Sequence, residues 1–473
     1  MARINTNIGA IAAQRHLARS NMQMNDTIQR LASGLRITRG ADDPAGLIAS
    51  ERLRSEIKSV NQAITNTNRA SNIIATSEGA LDEVANLLTD IQDLIVEAAN
   101  KGALSEDEIK ANQLQIDSSI KSITRIADST TFAGHHLLNG SLDYISSGVD
   151  QNVVKSLDIQ SAQFGTRSYI PVNIEVVTSA QTARLGYVGQ YLNSAVSLEI
   201  QGNLGTTTLS FPQSATTSSV VDAINAVSDS TGVIATYSAP PSFRIDSMYL
   251  GTRQFVGIRT LPGSGILNMQ DRGLSTRTRV TGRDAVAQVN GAQTFGNGNE
   301  LTLKTSTLDM VVTLDSSMGE GTTSFAITGG GALFQVGPQV NSNLQVNMGI
   351  QSIAATRLGN ANVGFLSQVQ SGGAYSLLND EFQQAQQIVT EAIRQVSVLR
   401  GRLGAFEKDT LDTNVNQLSI TLENLMSSES AIRDADFATE TSELTRSQIL
   451  VNAGTSVLAL AQQSTQSVLK LLG

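Results

Sequence analysis

The stretch that decides the architecture is Gln448–Gly473, QILVNAGTSVLALAQQSTQSVLKLLG, in which Lys470 is the only charged side chain. Its apolar residues recur at three- and four-residue intervals, which predicts a helix. A helix with so little charge makes a poor free surface, because its apolar side chains would remain in contact with water. Another surface must cover this end of the chain, which suggests a subunit that assembles with copies of itself.

The N-terminal end has the same character, since Leu17, Met24, Ile28, Leu31 and Leu35 fall on one face of a helix. Short helices are marginal in water until tertiary contacts bury them. We therefore expect residues 1–44 and 430–473 to form a terminal coiled coil that is disordered in the monomer and orders on assembly. The residues expected to drive polymerisation are Leu17, Ile28, Leu31, Leu35, Leu450, Val457, Leu460 and Leu471.

Between these ends lie two longer helical patterns. Asp42-Asp43-Pro44 predicts a helix start, because Asp is a good N-cap and Pro suits the first helical position. Alternating three- and four-residue steps then predict a coiled-coil seam, with a phase shift between Phe406 and Leu411. We expect residues 45–165 and 365–429 to form an elongated helical bundle with a β-hairpin. Its seam residues are Leu53, Ile57, Val60, Ile64, Leu81, Leu88, Phe382, Val389, Val396, Leu403, Leu418 and Leu425.

The middle of the chain, from about Gly140 to Gly364, is rich in Gly, Thr, Ser and Val, and we expect residues 166–364 of it to form the exposed, variable part. Alternating runs such as Val196–Ile200 are separated by Gly-rich breaks, which predicts short antiparallel strands in one or two exposed, variable domains. Ser219–Val227 predicts a small helix there. The fold class is therefore α+β and multidomain: helical coiled coils from the paired N- and C-terminal regions, with a β-rich central insertion.

Composition narrows the function. The net charge of −9 and the pI of about 5.0, with basic residues scattered along the sequence, argue against nucleic-acid binding. The absence of Cys excludes disulfides and thiolate chemistry. No secretory signal peptide and no membrane-spanning helix are expected. His135-His136 lacks a third metal ligand at a supporting spacing, and the common catalytic motifs are missing. We expect neither enzyme activity nor a cofactor.

Several motifs in the expected order resemble bacterial flagellin. They are Ser33–Ile37 (SGLRI), Ala41–Leu47 (ADDPAGL), Leu403–Ala405 (LGA), Glu423–Leu425 (ENL), Ile432–Asp436 (IRDAD) and Gln448–Leu450 (QIL). The resemblance covers roughly residues 1–140 and 370–473. In the middle, Ser219–Ala235 resembles a small insertion motif of flagellins and hook-associated proteins.

The resemblance implies export through the flagellar type III apparatus and polymerisation, beneath a cap protein, into an extracellular filament used for swimming. It also implies binding of an export chaperone at about Asp434–Gly473 and contact with hook–filament junction proteins. The alternative is that the chain is itself a junction protein, which shares the coil layout and the Asp-Asp-Pro turn but caps a joint rather than growing.

The segment Leu87–Asn100 aligns with the part of flagellins that is presented to the Toll-like innate receptor. The family pattern there is Gln-Arg, with Glu three residues after the Arg. Here Thr89 and Asp90 replace Gln-Arg, and Asp93 stands for the Glu. Because an acid replaces a cation, a contact at the interface changes sign. We therefore expect weak receptor activation.

Overall fold

The computed structural model describes residues 6–189, 191–238, 242–265 and 267–472, and for 238 and 464–472 it describes the backbone alone. The chain divides into two compact units. The first contains Met1–Arg69, Gln335–Val340 and Lys408–Gly473, and the second contains Ala70–Phe334 and Asn341–Glu407. The α-helices are α1 (Ile8–Ser33), α2 (Pro44–Ala98), α3 (Glu106–Ser129), α4 (Thr217–Asn225), α5 (Ser228–Thr231), α6 (Phe382–Ala405), α7 (Thr413–Arg433) and α8 (Phe437–Leu472).

Helix ends follow from local side-chain chemistry. The Asn7 side chain accepts a hydrogen bond from the backbone N–H of Ala10 at the start of α1, and Gly34 ends that helix with a left-handed φ of 72°. The carboxylate of Asp43 accepts the N–H of Gly46 at 2.9 Å, and α2 begins at Pro44. This geometry agrees with the helix start predicted at Asp42-Asp43-Pro44.

Two further sequence features have clear structural counterparts. Ser105 and Glu108 form the expected capping box at the start of α3. The phase shift after Phe406 corresponds to a π-helical segment, Phe406–Asp412, between α6 and α7. A π-turn bonds residue i to i+5, so it absorbs the extra residue that separates the two halves of the seam.

The described residues form twenty-two β-strands. They are β1 (Thr131–Phe132), β2 (His135–His136), β3 (Tyr144–Ser147), β4 (Val154–Ala162), β5 (Ile170–Thr178), β6 (Arg184–Val188), β7 (Val196–Gln201), β8 (Thr206–Phe211), β9 (Val233–Ser238), β10 (Ser242–Ser247), β11 (Phe255–Thr260), β12 (Arg279–Thr281), β13 (Val286–Val289), β14 (Ala292–Gln293), β15 (Phe295–Asn297), β16 (Glu300–Lys304), β17 (Leu308–Leu314), β18 (Gly321–Gly330), β19 (Ala332–Gln335), β20 (Gln345–Met348), β21 (Gly359–Asn360) and β22 (Gly364–Phe365).

The larger sheets enclose two separate cores. A five-stranded sheet, β14-β13-β5-β18-β3, and a four-stranded sheet, β15-β16-β17-β4, supply one core. A three-stranded sheet, β6-β10-β9, a four-stranded sheet, β12-β11-β7-β8, and helix α4 supply the other. Residues of the second core, from Ala183 to Met269, lie in the sequence between the two halves of the first. The second core therefore belongs to an insertion within the first.

The β-rich region begins earlier than the sequence boundary at residue 166 suggested. Strands β3 and β4 pair with β18 and β17, so they belong to the first β core rather than to the helical bundle. Their polar, alternating sequence resembles a hairpin attached to helices, and only the long-range pairing reveals their place. The predicted small helix exists as α4, and it begins two residues earlier than expected.

The terminal helices as a candidate assembly interface

Helices α1 and α8 pair antiparallel within the first unit. The side-chain amide of Asn7 donates to the carbonyl of Ala461 at 2.8 Å. Further along, Gly454 lies against Leu17, and Arg30 forms a 3.4 Å ion pair with Glu440. Because Glu440 is buried, this ion pair is the most shielded charge on the seam that these two helices share.

The seam between α1 and α8 contains many small and polar side chains. Its members recur at alternating three- and four-residue steps, which is the spacing of a coiled-coil seam. Every one of them is buried or half-buried, and half of them are Ala, Ser, Thr or Gly, which fill little volume. They are Ala10, Ala13, Leu17, Ser20, Met24, Thr27 and Leu31 on α1 and Glu440, Leu444, Ser447, Val451, Gly454, Leu458 and Ala461 on α8.

A second apolar stripe of α8 points away from this seam. At 100° per residue its members fall within about a quarter turn of one another and about a third of a turn from the seam. No charged residue occurs between Arg446 and Lys470 to make this face soluble. Its large members remain exposed: Ile449 by 62%, Leu450 by 43%, Val457 by 54% and Leu460 by 65%.

The residues expected to drive polymerisation therefore separate into two groups. Leu17, Leu31 and Leu35 are half-buried, because they lie beside C-terminal segments of the same chain. By contrast, Ile28, Leu450, Val457 and Leu460 are exposed. The side chain of Leu471 lies outside the described residues.

The sequence motifs 33–37 and 432–436 meet in space. Leu35 forms an isolated β-bridge with Asp434. On either side of it, the N–H of Arg36 donates to the carbonyl of Arg433 at 2.7 Å, and the N–H of Ala435 donates to the carbonyl of Gly34 at 3.0 Å. These backbone bonds connect the end of α1 to the turn before α8. Pairing of the two terminal regions was expected from the sequence, but these particular backbone bonds between motifs some 400 residues apart were not.

The turn before α2 is organised by one carboxylate. Oδ2 of Asp42 accepts hydrogen bonds from Thr38 Oγ1 at 2.9 Å, from the N–H of Thr38 at 3.0 Å and from the N–H of Arg39 at 3.1 Å. The Thr38 hydroxyl, with these backbone donors and the Arg39 side chain, lowers the pKa of Asp42 to about 2, against the opposing effect of desolvation. Asp42 therefore stays ionised and holds the turn at neutral pH.

The predicted seam of the longer helices is buried more deeply. In the first unit Val60 and Leu418 share a small core with Ala63, against which Ile64 and Leu425 pack, while Leu53 and Ile57 are half-buried. In the second unit Phe382 is half-buried, and the fully or nearly fully buried seam residues are Leu81, Leu88, Val389, Val396 and Leu403. There, Arg400 of α6 forms a 2.9 Å ion pair with Asp82 of α2.

Several buried polar residues were not among the predicted site residues. Ser50 is fully buried, and its hydroxyl has no hydrogen-bond partner within the described residues. Thr67 and Ser77 are equally buried, but each donates to the carbonyl four residues earlier at 2.9 Å. Glu440 is buried on the α1–α8 seam. For Ser50 the three-residue step to Leu53 was the available signal, because it places Ser50 on the seam face.

The segment compared with the innate-receptor site lies on the exposed face of α2. Thr89, Asp90 and Asp93 are all exposed, between the buried seam positions Leu88, Ile91 and Ile95. From residue 78 to residue 97 the helix carries six acidic residues and no basic one. The face is therefore acidic. His135 and His136 are exposed on strand β2, and no group of three His, Cys, Asp or Glu that could hold a metal ion occurs in the described part of the chain.

Terminal helices that pair with each other yet keep an apolar stripe uncovered, around a β-rich insertion, define a self-assembling structural subunit. Residues 4–143 match the bacterial flagellin N-terminal helical region, and residues 386–472 match the bacterial flagellin C-terminal helical region. Residues 197–240 match the flagellin hook IN motif, which confirms the resemblance noted around α4. The chain belongs to the bacterial flagellin family and is a structural subunit of the flagellar filament, an extracellular appendage.

Relatives match along nearly the whole chain. The B-type flagellin of Pseudomonas aeruginosa is 30% identical, with 99% of each chain covered. A flagellin of Salmonella muenchen is 29% identical with the same coverage. A solved structure titled FliC from Burkholderia pseudomallei is 17% identical, covers 73% of this chain and 99% of that chain, and has a TM-score of 0.23, too low to inform the fold. Across the described ranges, no helix has the length and apolar character needed to cross a membrane.

Proposed function

We propose that the filament grows by burying the outward stripe of α8, formed by Ile449, Leu450, Ala453, Val457 and Leu460, against neighbouring copies of the chain. The supporting observation is that four large apolar side chains of this stripe remain exposed although α1 already covers the seam face of α8. Completing the burial of one such half-exposed side chain contributes roughly 1 kcal/mol. Several of them, repeated at every contact, favour a polymer.

The contact in such a filament is heterologous: the stripe of one subunit meets a different surface of the next. A heterologous contact that does not close into a ring repeats without limit and produces a helical filament. Exposed apolar residues of α1, such as Ile8, Ile11 and Ile28, supply further surface for it. We propose that residues 1–44 and 430–473 form this filament core, and that the β-rich insertion, including β3 and β4, is the exposed, variable part.

We also propose that the terminal helices are only marginally ordered in a free monomer. Half of the residues on the α1–α8 seam are Ala, Ser, Thr or Gly, which bury little apolar surface and so return little free energy for the backbone entropy lost on ordering. In the structure both helices are formed and paired. On this account their pairing becomes stable when neighbouring copies cover the outward faces.

Seeded growth tests the proposal. Purified monomer is mixed with short filament fragments, and the polymer is collected by ultracentrifugation and viewed by electron microscopy. We expect bulk filaments from the full chain and none from a chain lacking Thr455–Gly473. A truncated chain that still pellets as filaments would overturn the proposal. Growth that stops after a few subunits would instead favour a hook–filament junction protein.

The outward stripe of α8 also bears on export of the chain. We propose that the chain is secreted through the flagellar type III apparatus, with α8 held by an export chaperone until it assembles beneath the cap protein. An amphipathic helix laid in a groove is a common recognition mode, and the stripe of α8 provides the anchors at suitable spacing. Replacing Leu460 by Asp should weaken chaperone capture in a pull-down assay, whereas replacing exposed Gln448 by Asp should not.

We further propose weak recognition by the Toll-like innate receptor. The exposed acids Asp90 and Asp93 lie on an acidic helix face, where the family pattern has a cation beside its acid. Replacing Thr89-Asp90 by Gln-Arg should raise receptor signalling in reporter cells. Signalling by the unaltered chain that equals a strong enteric flagellin would contradict this.

A further inference from the structure

Four arginines converge on the inserted β domain, far apart in sequence. Arg184 lies on β6, Arg244 on β10, and Arg272 and Arg283 on the segments that flank β12. Arg184, Arg244 and Arg283 all act electrostatically on Arg272. Sequence reading placed these arginines up to about a hundred residues apart and did not suggest a basic cluster. Sheet pairing, which aligns Arg184 with Asp246, brings them together.

The acids nearby neutralise only part of this charge. Asp246 accepts from Arg184 Nε at 2.5 Å and from Arg244 Nε at 3.1 Å, so one carboxylate serves two guanidinium groups. Asp271 is committed to Arg277 at 2.8 Å and to two backbone N–H groups. Neither Arg272 nor Arg283 has an ion-pair partner within the described residues, and both are exposed. The cluster is therefore left with an excess of positive charge.

The excess stands out because the chain as a whole is acidic. Residues 181–283 carry eight arginines, no lysine and five acidic side chains, a net charge of +3 in a chain of net charge −9. Arginine presents a planar fork of donors that matches the oxygens of phosphate or sulfate, which a lysine ammonium does not. Solubility alone does not require that every basic residue of this segment be arginine, or that four of the arginines lie close together.

A shallow cavity of about 140 Å³ lies beside Arg272 and Arg283. Gln181, Thr182 and Thr281 supply further polar groups to its wall. Asp271 also lines the cavity, and its carboxylate already accepts hydrogen bonds from the Arg277 side chain and from the N–H groups of Gly273 and Ser275. The two guanidinium groups at its wall give this small opening the positive charge and the donor geometry that the anionic group of a ligand requires.

The donors that face this cavity are partly free. Arg272 uses Nη2 to donate to the carbonyl of Thr182 at 3.2 Å and to its hydroxyl at 3.0 Å. Arg283 donates from Nε and Nη2 to the carbonyl of Ser179 at 3.3 and 3.2 Å. Within the described residues these bonds orient both guanidinium groups and leave Nε and Nη1 of Arg272 and Nη1 of Arg283 available. Partial desolvation of the guanidinium group and the positive charge of Arg184, Arg244 and Arg283 lower the pKa of Arg272, against the opposing effect of Asp246. A bound anion would relieve this effect.

We propose that Arg272 and Arg283, supported by Arg184 and Arg244, form an oxyanion-binding site for a phosphate or sulfate monoester. In a filament, the site would repeat on every subunit, so weak single contacts would add up to avid binding of a ligand that carries many such esters. That last step rests on the proposed assembly, whereas binding of one ester to one monomer does not.

The test uses the full-length monomer, so that failure to polymerise cannot obscure the result. Titration calorimetry or ligand-observed NMR is carried out with glucose 6-phosphate, glucose 6-sulfate, glucuronate and glucose. We expect saturable binding of the phosphate or sulfate ester, or of both, and no binding of glucose. The two ester arms show which anion the site prefers, and glucuronate shows whether a planar carboxylate suffices.

Substitutions separate a built site from general charge attraction. Arg272→Gln should weaken ester binding roughly tenfold, and Arg272→Lys should restore only part of it, because the charge returns without the fork. Arg167→Gln is the matched control, since Arg167 is exposed, lies outside the cluster and has no side-chain ion pair or hydrogen bond within the described residues.

Three outcomes would overturn the proposal. They are no saturable binding of either ester, an equal loss of binding in the Arg167→Gln control, or a loss in Arg272→Gln that merely accompanies a loss of thermal stability. A circular-dichroism melt of each variant distinguishes the last case. If Arg272→Gln melts as the unaltered chain does and still loses binding, the arginine contacts the anion.

Discussion

The chain contains two kinds of helical pairing, and they differ in what fills the seam. In the second unit Ile74, Leu81, Leu88, Ile91 and Ile95 of α2 are fully or almost fully buried, as are Val389, Val396 and Leu403 of α6. The α1–α8 pair instead buries small and polar residues and leaves Ile449, Val457 and Leu460 exposed. The seam of the first kind is filled by residues of one chain. In the proposed assembly, the second kind is completed by neighbouring copies.

The largest expected effect comes from placing charge on the outward stripe of α8. Val457→Asp together with Leu460→Asp should abolish filament growth, because burying an unpaired carboxylate in an apolar contact costs several kcal/mol. The monomer should melt as before, since both positions are exposed in it. Pelleting of seeded protein measures the effect. Gln448→Asp with Asn452→Asp, two exposed positions on another face of α8, is the control.

Shortening a buried side chain in the seam of the second unit should destabilise the monomer, unlike the substitutions on the outward stripe of α8. Leu88 is fully buried, so Leu88→Ala should lower the free energy of unfolding of the monomer by about 2–5 kcal/mol. Leu460→Ala, at an exposed position, should change it by no more than about 0.5 kcal/mol. Chemical denaturation followed by circular dichroism checks both. Similar losses from the two variants would remove the distinction between the pairings.

A smaller effect should come from the buried hydroxyl of Ser50. Because Ser50 Oγ is buried and has no partner within the described residues, Ser50→Ala should stabilise the monomer by about 1 kcal/mol. Ser77→Ala is the matched control, since the Ser77 hydroxyl donates to the carbonyl of Ile73. That variant should be neutral or slightly destabilised. If Ser50→Ala lowers the melting temperature instead, Ser50 has a partner that the structure does not show.

The smallest effect is expected at the turn before α2, which Asp42 organises. Asp42 has its pKa lowered from 3.8 to about 2, so its contribution is complete above about pH 4 and is lost as the pH falls towards 2. Asp42→Asn should therefore loosen the turn at neutral pH, where the carboxylate is charged. Trypsin should then cut faster at exposed Arg39 at pH 8, while Arg52 in α2 keeps its rate. Unchanged cleavage at Arg39 would contradict the role given to Asp42.

The sequence carried enough information for the helices, because local patterns determine them. The restart at Pro44, the capping box at Ser105 and the phase shift at Phe406 all depend on residues within a few positions of one another. Local patterns could not predict which of the expected polymerisation residues are half-buried against the same chain and which are exposed. Whether Leu17 or Ile28 faces α8 depends on a partner more than 400 residues away, and periodicity alone does not name the partner.

Long-range pairing also explains what was missed in the middle of the chain. Strands β3 and β4 belong to the first β core only because β18 and β17 return to them, about 180 and about 150 residues later respectively. The arginine cluster arises in the same way, since Arg184 and Arg272 are distant in sequence and near in space. Alternation predicted that strands exist, and it could not predict which strands are neighbours.

Hydrogen exchange followed by mass spectrometry, on free monomer and on seeded filament, tests the central comparison most directly. Peptides from residues 74–98 should be protected in both states, because their seam is complete in one chain. Peptides from residues 8–33 and 437–463 should exchange quickly in the monomer and become protected in the filament. Equal protection of the terminal helices in the two states would show that they need no neighbouring copies, and would contradict the account.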